Sequence, residues 1–417
     1  MIALGANNHE DAGMNPSTAA LPHKNVRSVR VPTEKQSIFD DGDPSVGPID
    51  DLATRDSRYH PDVAYLMSIV SAWAYADAEV LAAKLQYYGL EGAHIRQITV
   101  VNNALLVVAT GYLVLSESGK VGILTFRGTD PASFITWLAD AQVQQRKFLQ
   151  GHVHAGFYGN VNAIWGDIAD ALVLARNGQV IDTTPDGAAH AAKLTNKLEA
   201  LYITGHSLGG AMAVLAAARL FKGDFGDWPR EAVRGVYTFG QPMVGDAEFC
   251  QAVKNRFGER LFRHVYHDDV VPHLPPKSDF DYEHVGKEWT AEHPTKRWAP
   301  SASTAERANA LYAVISSAAT AFEARVFPST RIGKYSIDDH MPLNYVEVSR
   351  NFGPHAPVIK GPPERGLLDI VTDNVNLAVG AAADEVVVAS RLAAKLTDAA
   401  LVDVGDLSKR ATKILQR

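Results

Sequence analysis

Residues 201–221 carry the tightest constraint in the chain. An apolar segment, Leu201-Tyr202-Ile203-Thr204, runs through Gly205-His206-Ser207-Leu208-Gly209-Gly210 straight into an Ala-rich stretch. The apolar segment reads as a short buried strand and 209–221 as a helix. Only a sharp turn joins a strand to a helix in so few residues. Side chains at 205 and 209 would collide with the neighbouring helix and strand, so both positions are glycine. The residue between them is strained and pushed out of the sheet. Here it is a serine, and the helix after it aims free N–H groups and a positive dipole end at the same point. A glycine-rich turn whose serine merely caps the helix is the alternative.

A serine hydroxyl is a weak nucleophile and needs a base and an orienting acid. On this type of turn they follow in the chain order serine, acid, histidine. The next acids at a strand end lie in Arg263-His264-Val265-Tyr266-His267-Asp268-Asp269-Val270-Val271-Pro272. Asp268 and Asp269 are both candidates. Downstream come His273, His284, His293, His340 and His355. His273 is too near the acid in sequence to reach back. His340 precedes an expected helix in Asp338-Asp339-His340-Met341-Pro342, and chain order favours it, with His284 and His355 as fallbacks.

Around the turn, strands alternate with helical segments from about 95 to 275, the pattern of a mostly parallel sheet with helices on both faces. Helical spacing is read over 61–90, in the second half of 153–175, and over 302–325. Strands are read at 98–101, 105–108, 236–239 and 263–266, and a hairpin over 111–116 and 121–126 turning at Ser118-Gly119. Residues 1–58 are polar and turn-rich, and are expected to form a flexible arm. A Pro- and Gly-rich linker over 353–366 leads into a helical C-terminal extension that ends the chain at 417. The body of the protein is therefore expected at 59–352.

Composition narrows the function classes. With 46% hydrophobic and 21% charged residues the chain is core-forming. A net charge of -7 without a basic stripe argues against nucleic-acid binding. One cysteine, Cys250, allows no intramolecular disulfide and fits a reducing compartment. No signal peptide is read, and the longest apolar run, 310–322, is too short to cross a bilayer. A cytoplasmic location is the default expectation. No cofactor is expected. His152 and His154 stand two apart without a third zinc ligand.

Four separated blocks then resemble the class 3 lipases, the family of the fungal triacylglycerol lipases. They are Phe126-Arg127-Gly128-Thr129-Asp130, with Trp137 and Asp140 after it; Val153-His154-Ala155-Gly156-Phe157; the segment 203–210; and Tyr237-Thr238-Phe239-Gly240-Gln241-Pro242 followed by Asp269-Val270-Val271-Pro272-His273-Leu274-Pro275-Pro276. The resemblance implies an α/β-hydrolase fold and ester hydrolysis through Ser207, Asp269 and His340. It also implies backbone N–H donors at Thr129 and Leu208 for a developing oxyanion. Phe134, Ile135, Trp137 and Leu138 fall where these lipases carry an amphipathic lid, though a core-packing helix reads equally well there. A lipid or other ester substrate follows, with peripheral contact at a lipid interface. The tail helix over 367–402 carries Asp369, Asp373, Asp384 and Glu385 but few basic residues, which favours packing or self-association over membrane binding. Against these stand a phospholipase or carboxylesterase, and a catalytically silent scaffold of the same fold.

Overall fold

Along Ala200–His206 every residue is buried, and alternate side chains enter different cores. Leu201 and Ile203 join one apolar cluster, Ala200 and Tyr202 the other. A strand buried on both faces belongs to the middle of a layered structure. The computed structural model describes residues 23–34, 47–102, 107–129, 144–182, 192–275, 281–291, 297–301, 331–332, 335–336 and 338–351.

The strands are β1 (His23–Arg30), β2 (His94–Asn102), β3 (Val107–Leu115), β4 (Val121–Phe126), β5 (Gln145–Phe148), β6 (Gly151–His154), β7 (Ala200–His206), β8 (Val233–Phe239), β9 (Gly245–Asp246), β10 (Leu261–Tyr266), β11 (Tyr282–Glu283), β12 (Lys287–Ala291) and β13 (Ala299–Pro300). The helices are α1 (Pro61–Trp73), α2 (Ala78–Gln86), α3 (Ala155–Arg176), α4 (Leu208–Arg219), α5 (Trp228–Ala232), α6 (Ala247–Phe257) and α7 (Pro342–Arg350). The main sheet has the order β1-β2-β3-β4-β7-β8-β10-β12-β13. Strands β4, β7, β8, β10 and β12 are mutually parallel, and the outer pairs are antiparallel. A smaller sheet runs β11-β9-β6-β5.

Helices cover both faces of the main sheet. Residues of α3, α4 and α6 pack in one cluster with Leu124, Leu201 and Ile203. Residues of α1, α2 and α7 pack in the other with Ile123, Tyr202 and Tyr237. Each aliphatic side chain fully buried this way contributes about 1.5–3 kcal/mol. A parallel centre, helices on both faces and a strand–serine–helix turn at the end of the middle strand define an α/β-hydrolase fold.

Several elements differ from the sequence reading. The N-terminal arm is not loose throughout. β1 pairs with β2 from His23↔Val101 to Arg30↔His94, and its Val26 and Val29 pack against opposite clusters. Its short, weakly apolar sequence hides this, because a strand at a sheet edge needs few buried side chains. The helix expected over 61–90 is two helices. The break falls at Asp77, whose carboxylate caps α2 by accepting from the Val80 N–H at 2.9 Å. Helix α3 begins earlier than expected because the His154 ring acts as its cap, with Nδ1 accepting from Gly156 N–H at 3.2 Å. Of the strand read at 105–108, residues 107 and 108 begin β3 and the other two lie outside the described residues; the hairpin of β3 with β4 turns through Gly119 at φ 90°. The expected helices over 302–325 and the C-terminal extension from 353 lie outside the described residues. So do Phe134, Ile135, Trp137, Leu138, Asp140 and His355. Among the described residues no helix is long and apolar enough to cross a membrane.

Candidate active site

Ser207 alone makes the turn between β7 and α4, at φ 58° and ψ −129°. A non-glycine residue held in such a region costs about 1–3 kcal/mol and persists only where packing dictates it. Here the packing is close. A Cβ on Gly205 would lie 2.2 Å from the Gly209 carbonyl oxygen, and one on Gly209 would lie 2.2 Å from that of Phe126. The Ser207 N–H donates to the Phe239 carbonyl at 2.9 Å, which ties the turn to the end of β8.

Asp269 lies on the loop after β10, and its carboxylate is fully buried. Oδ1 accepts from the Val271 N–H at 2.8 Å. Oδ2 accepts from His340 Nδ1 at 2.7 Å and from the Tyr345 hydroxyl. Burial, and next the Asp269 charge, hold the Tyr345 phenol well above its ordinary pKa, so it stays a donor. With the Nδ1 proton directed at a carboxylate, the other nitrogen of His340 carries the lone pair. That Nε2 and the Ser207 hydroxyl are both buried and have no hydrogen-bond partner among the described residues. His340 and Asp269 meet around Gly240, the residue after Phe239. A Cβ on Gly240 would lie 2.7 Å from His340 Cε1 and 2.9 Å from Asp269 Oδ2.

The loops bearing acid and base are also bound to each other. Ser336 N–H donates to the Asp268 carbonyl at 2.8 Å. His267 Nδ1 pairs with Asp339 Oδ2 at 2.7 Å, and the same oxygen accepts from the Asp268 N–H at 3.2 Å. The sequence left Asp268 and Asp269 open. Asp269 is the one bonded to His340, while the Asp268 carboxylate lies 3.6 Å from His267. The fallback His284 directs Nε2 at the Pro272 carbonyl, 2.6 Å away.

The segment after β4 crosses the turn. Arg127 N–H donates to the Thr110 carbonyl at 3.1 Å. A Cβ on Gly128 would lie 2.0 Å from the Tyr75 hydroxyl and 2.8 Å from the His206 carbonyl. Thr129, half-buried, follows at once. Leu208 opens α4, and an N–H at that position has no acceptor within its own helix. These are the two candidate oxyanion donors.

Residues 123–279 match the family model of the class 3 lipases. Over that region the chain is similar to the class 3 lipases. The triacylglycerol lipase OBL1 of Arabidopsis thaliana is 30% identical over 189 residues, 39% of this chain and 36% of that protein. The secreted mono- and diacylglycerol lipase 1 of Fusarium solani is 41% identical over 102 residues, 24% of this chain and 28% of that one. The chain thus spans well under two thirds of either relative. Among solved structures, the Rhizomucor miehei lipase propeptide complex aligns with a TM-score of 0.47 at 20% identity, covering 69% of this chain and 80% of that one.

Three residues around the candidate site make contacts that the sequence reading missed. Tyr345, in the helix after His340, donates its hydroxyl directly to Asp269. Gly240, at φ 57°, is the floor on which acid and base meet. Tyr75 reaches the serine turn from beyond the end of α1. Its hydroxyl bonds His206 Nδ1 at 2.8 Å across 131 residues of sequence, a separation that leaves no local signal.

Proposed function

We propose that this chain is a class 3 lipase that hydrolyses carboxylic esters, most suitably those of acylglycerols, through an acyl-enzyme at Ser207. One observation carries the reading. Among the described residues a strained, buried serine and a buried histidine nitrogen both lack partners, while the other nitrogen of that histidine is bound to a buried carboxylate. In this mechanism Ser207 Oγ attacks the ester carbonyl and its proton passes to His340 Nε2. Asp269 stabilises the resulting imidazolium and holds the ring's orientation. The N–H groups of Thr129 and Leu208 bind the oxygen that becomes negative, typically worth about a hundred- to a thousand-fold in rate per donor. His340 then protonates the leaving alcohol, and water attacks the acyl-enzyme by the same route. The acylglycerol class is supported by the names of the relatives. Phe134, Ile135, Trp137 and Leu138 serve in this reading as a lid that meets the lipid surface. We take the catalytic unit to run from β1 to α7, and a cytoplasmic location belongs to the same proposal, tested by cell fractionation.

The test is a panel of p-nitrophenyl esters, triolein and phosphatidylcholine, with fluorophosphonate labelling alongside. Ser207→Ala is expected to abolish labelling and to lower turnover by at least about a thousand-fold while the fold persists. Labelling that survives in folded Ser207→Ala protein sinks the reading. A wild-type protein that neither labels nor turns over would be the silent scaffold. Preference for phosphatidylcholine would move the substrate to phospholipids.

A further inference from the structure

We infer that His206, the residue just before the serine, is a positioning residue that sets the place of His340 through that residue's main-chain carbonyl. The inference rests on the hydrolase reading above. His206 is fully buried. Both ring nitrogens are bound, and the partners fix the tautomer. Nε2 lies 2.7 Å from the His340 carbonyl oxygen, which can only accept, so Nε2 carries the proton. Nδ1 therefore presents a lone pair, and the Tyr75 hydroxyl donates to it at 2.8 Å. The two imidazole rings lie 4.5 Å apart between centroids.

The consequence is a chain of three groups spanning the whole site. Tyr75 packs on Gly128 in the candidate oxyanion turn. His206 sits on the serine turn itself. The His340 carbonyl belongs to the loop that supplies the base. Two hydrogen bonds and the packing of Tyr75 on Gly128 thus connect oxyanion turn, nucleophile and base, three segments far apart in sequence. His206 also meets an electrostatic requirement. A charged neighbour at this distance would oppose the imidazolium that forms on His340 during acylation. Burial first, and His340 second, hold His206 well below the ordinary histidine pKa, so it stays neutral.

Side-chain geometry gives a discriminating set of variants. Glutamine puts an amide N–H where His206 has Nε2, keeping the donor to the His340 carbonyl. Asparagine puts an oxygen near the place of Nδ1, keeping the bond to Tyr75 and losing the donor. Phenylalanine keeps shape alone. His206→Asn and His206→Phe are expected to lower kcat and the fluorophosphonate labelling rate by about ten- to a hundred-fold, with KM little changed, because a small misplacement of the base is enough. His206→Gln is expected to stay within about three-fold of wild type. A merely structural role would instead order the variants by melting temperature. On the wild-type protein, 15N spectra of the imidazoles are expected to show His206 protonated at Nε2 only, and Tyr75→Phe to release the other tautomer. Equal rates in all three folded variants, or equal losses in all three, overturn the inference. So does a wild-type Nδ1–H tautomer, whichever variants fold. Because Ser207→Ala tests the hydrolase reading separately, a flat His206 series with normal Ser207 labelling defeats this inference alone.

Discussion

At the scale of single residues, the site depends on groups that hold a neighbour. In the proposed mechanism Asp269 acts through the ring of His340, so Asp269→Asn is expected to lower kcat by about ten-thousand-fold, while Asp268→Asn stays within about ten-fold. Steady-state kinetics on the two variants decides this, and the reverse order would move the acid by one residue. Tyr345→Phe removes a donor from a buried carboxylate. Hydrogen bonds to charged groups are worth about 1.5–3 kcal/mol, and a loss of that size is expected in urea denaturation, together with slower acylation. An unchanged midpoint would mean that the Tyr345 hydroxyl contributes nothing to holding Asp269. Gly240→Ala puts a methyl 2.7 Å from the His340 ring at a backbone angle that suits glycine. It is expected to fold and to lose about a hundred-fold in kcat through displacement of the base.

At the scale of elements, the sheet edge is where the sequence misled. β1 is half-buried and polar on many positions, yet it closes the edge of β2 over eight paired residues. A chain beginning after Arg30 would leave that edge open to pairing with other molecules. Its stability is expected to fall by a few kcal/mol, about 1 kcal/mol for each half-buried valine plus the lost ladder. Light scattering is expected to show association. A truncated protein that stays monomeric with the wild-type melting temperature would show β1 to be dispensable. The helix breaks follow a related logic. Asp77 and His154 end or begin helices by capping free N–H groups, and a histidine cap is outside the usual Ser, Thr, Asp and Asn signals.

The whole molecule buries several neutral histidines, and this sets its response to acid. Burial lowers His154 to about 4 and His264 to about 3. His264 repeats the arrangement of His206, with Nδ1 donating to the Thr238 carbonyl at 3.1 Å and Nε2 facing the Tyr59 hydroxyl at 3.2 Å. The unfolded chain takes up protons near pH 6.5, whereas the folded chain does not until pH 4 or 3. Between those limits the unfolded state binds more protons, so stability falls as pH falls. The slope is about 1.4 kcal/mol per pH unit for each such histidine. Urea unfolding from pH 7 to pH 4.5 is expected to show this decline, reduced by one histidine's share in His264→Phe. A stability independent of pH over that range would mean the rings are protonated in the folded state.

The sequence by itself determined the central strand–serine–helix turn and the mixed class of the fold, and narrowed the candidate acid and base to a few residues. Those features depend on glycine at fixed spacing, local periodicity and chain order, all of which one chain carries openly. It did not reveal β1, because edge pairing uses backbone groups that any residue supplies. Nor did it reveal that Gly240, Tyr345, Tyr75 and His206 enclose the site. Each bears on a partner tens to more than a hundred residues away, or is a glycine whose importance lies in what crowds it. Only the tertiary structure decides such neighbours, because burial removes water as the alternative partner and leaves each polar group the one the fold provides.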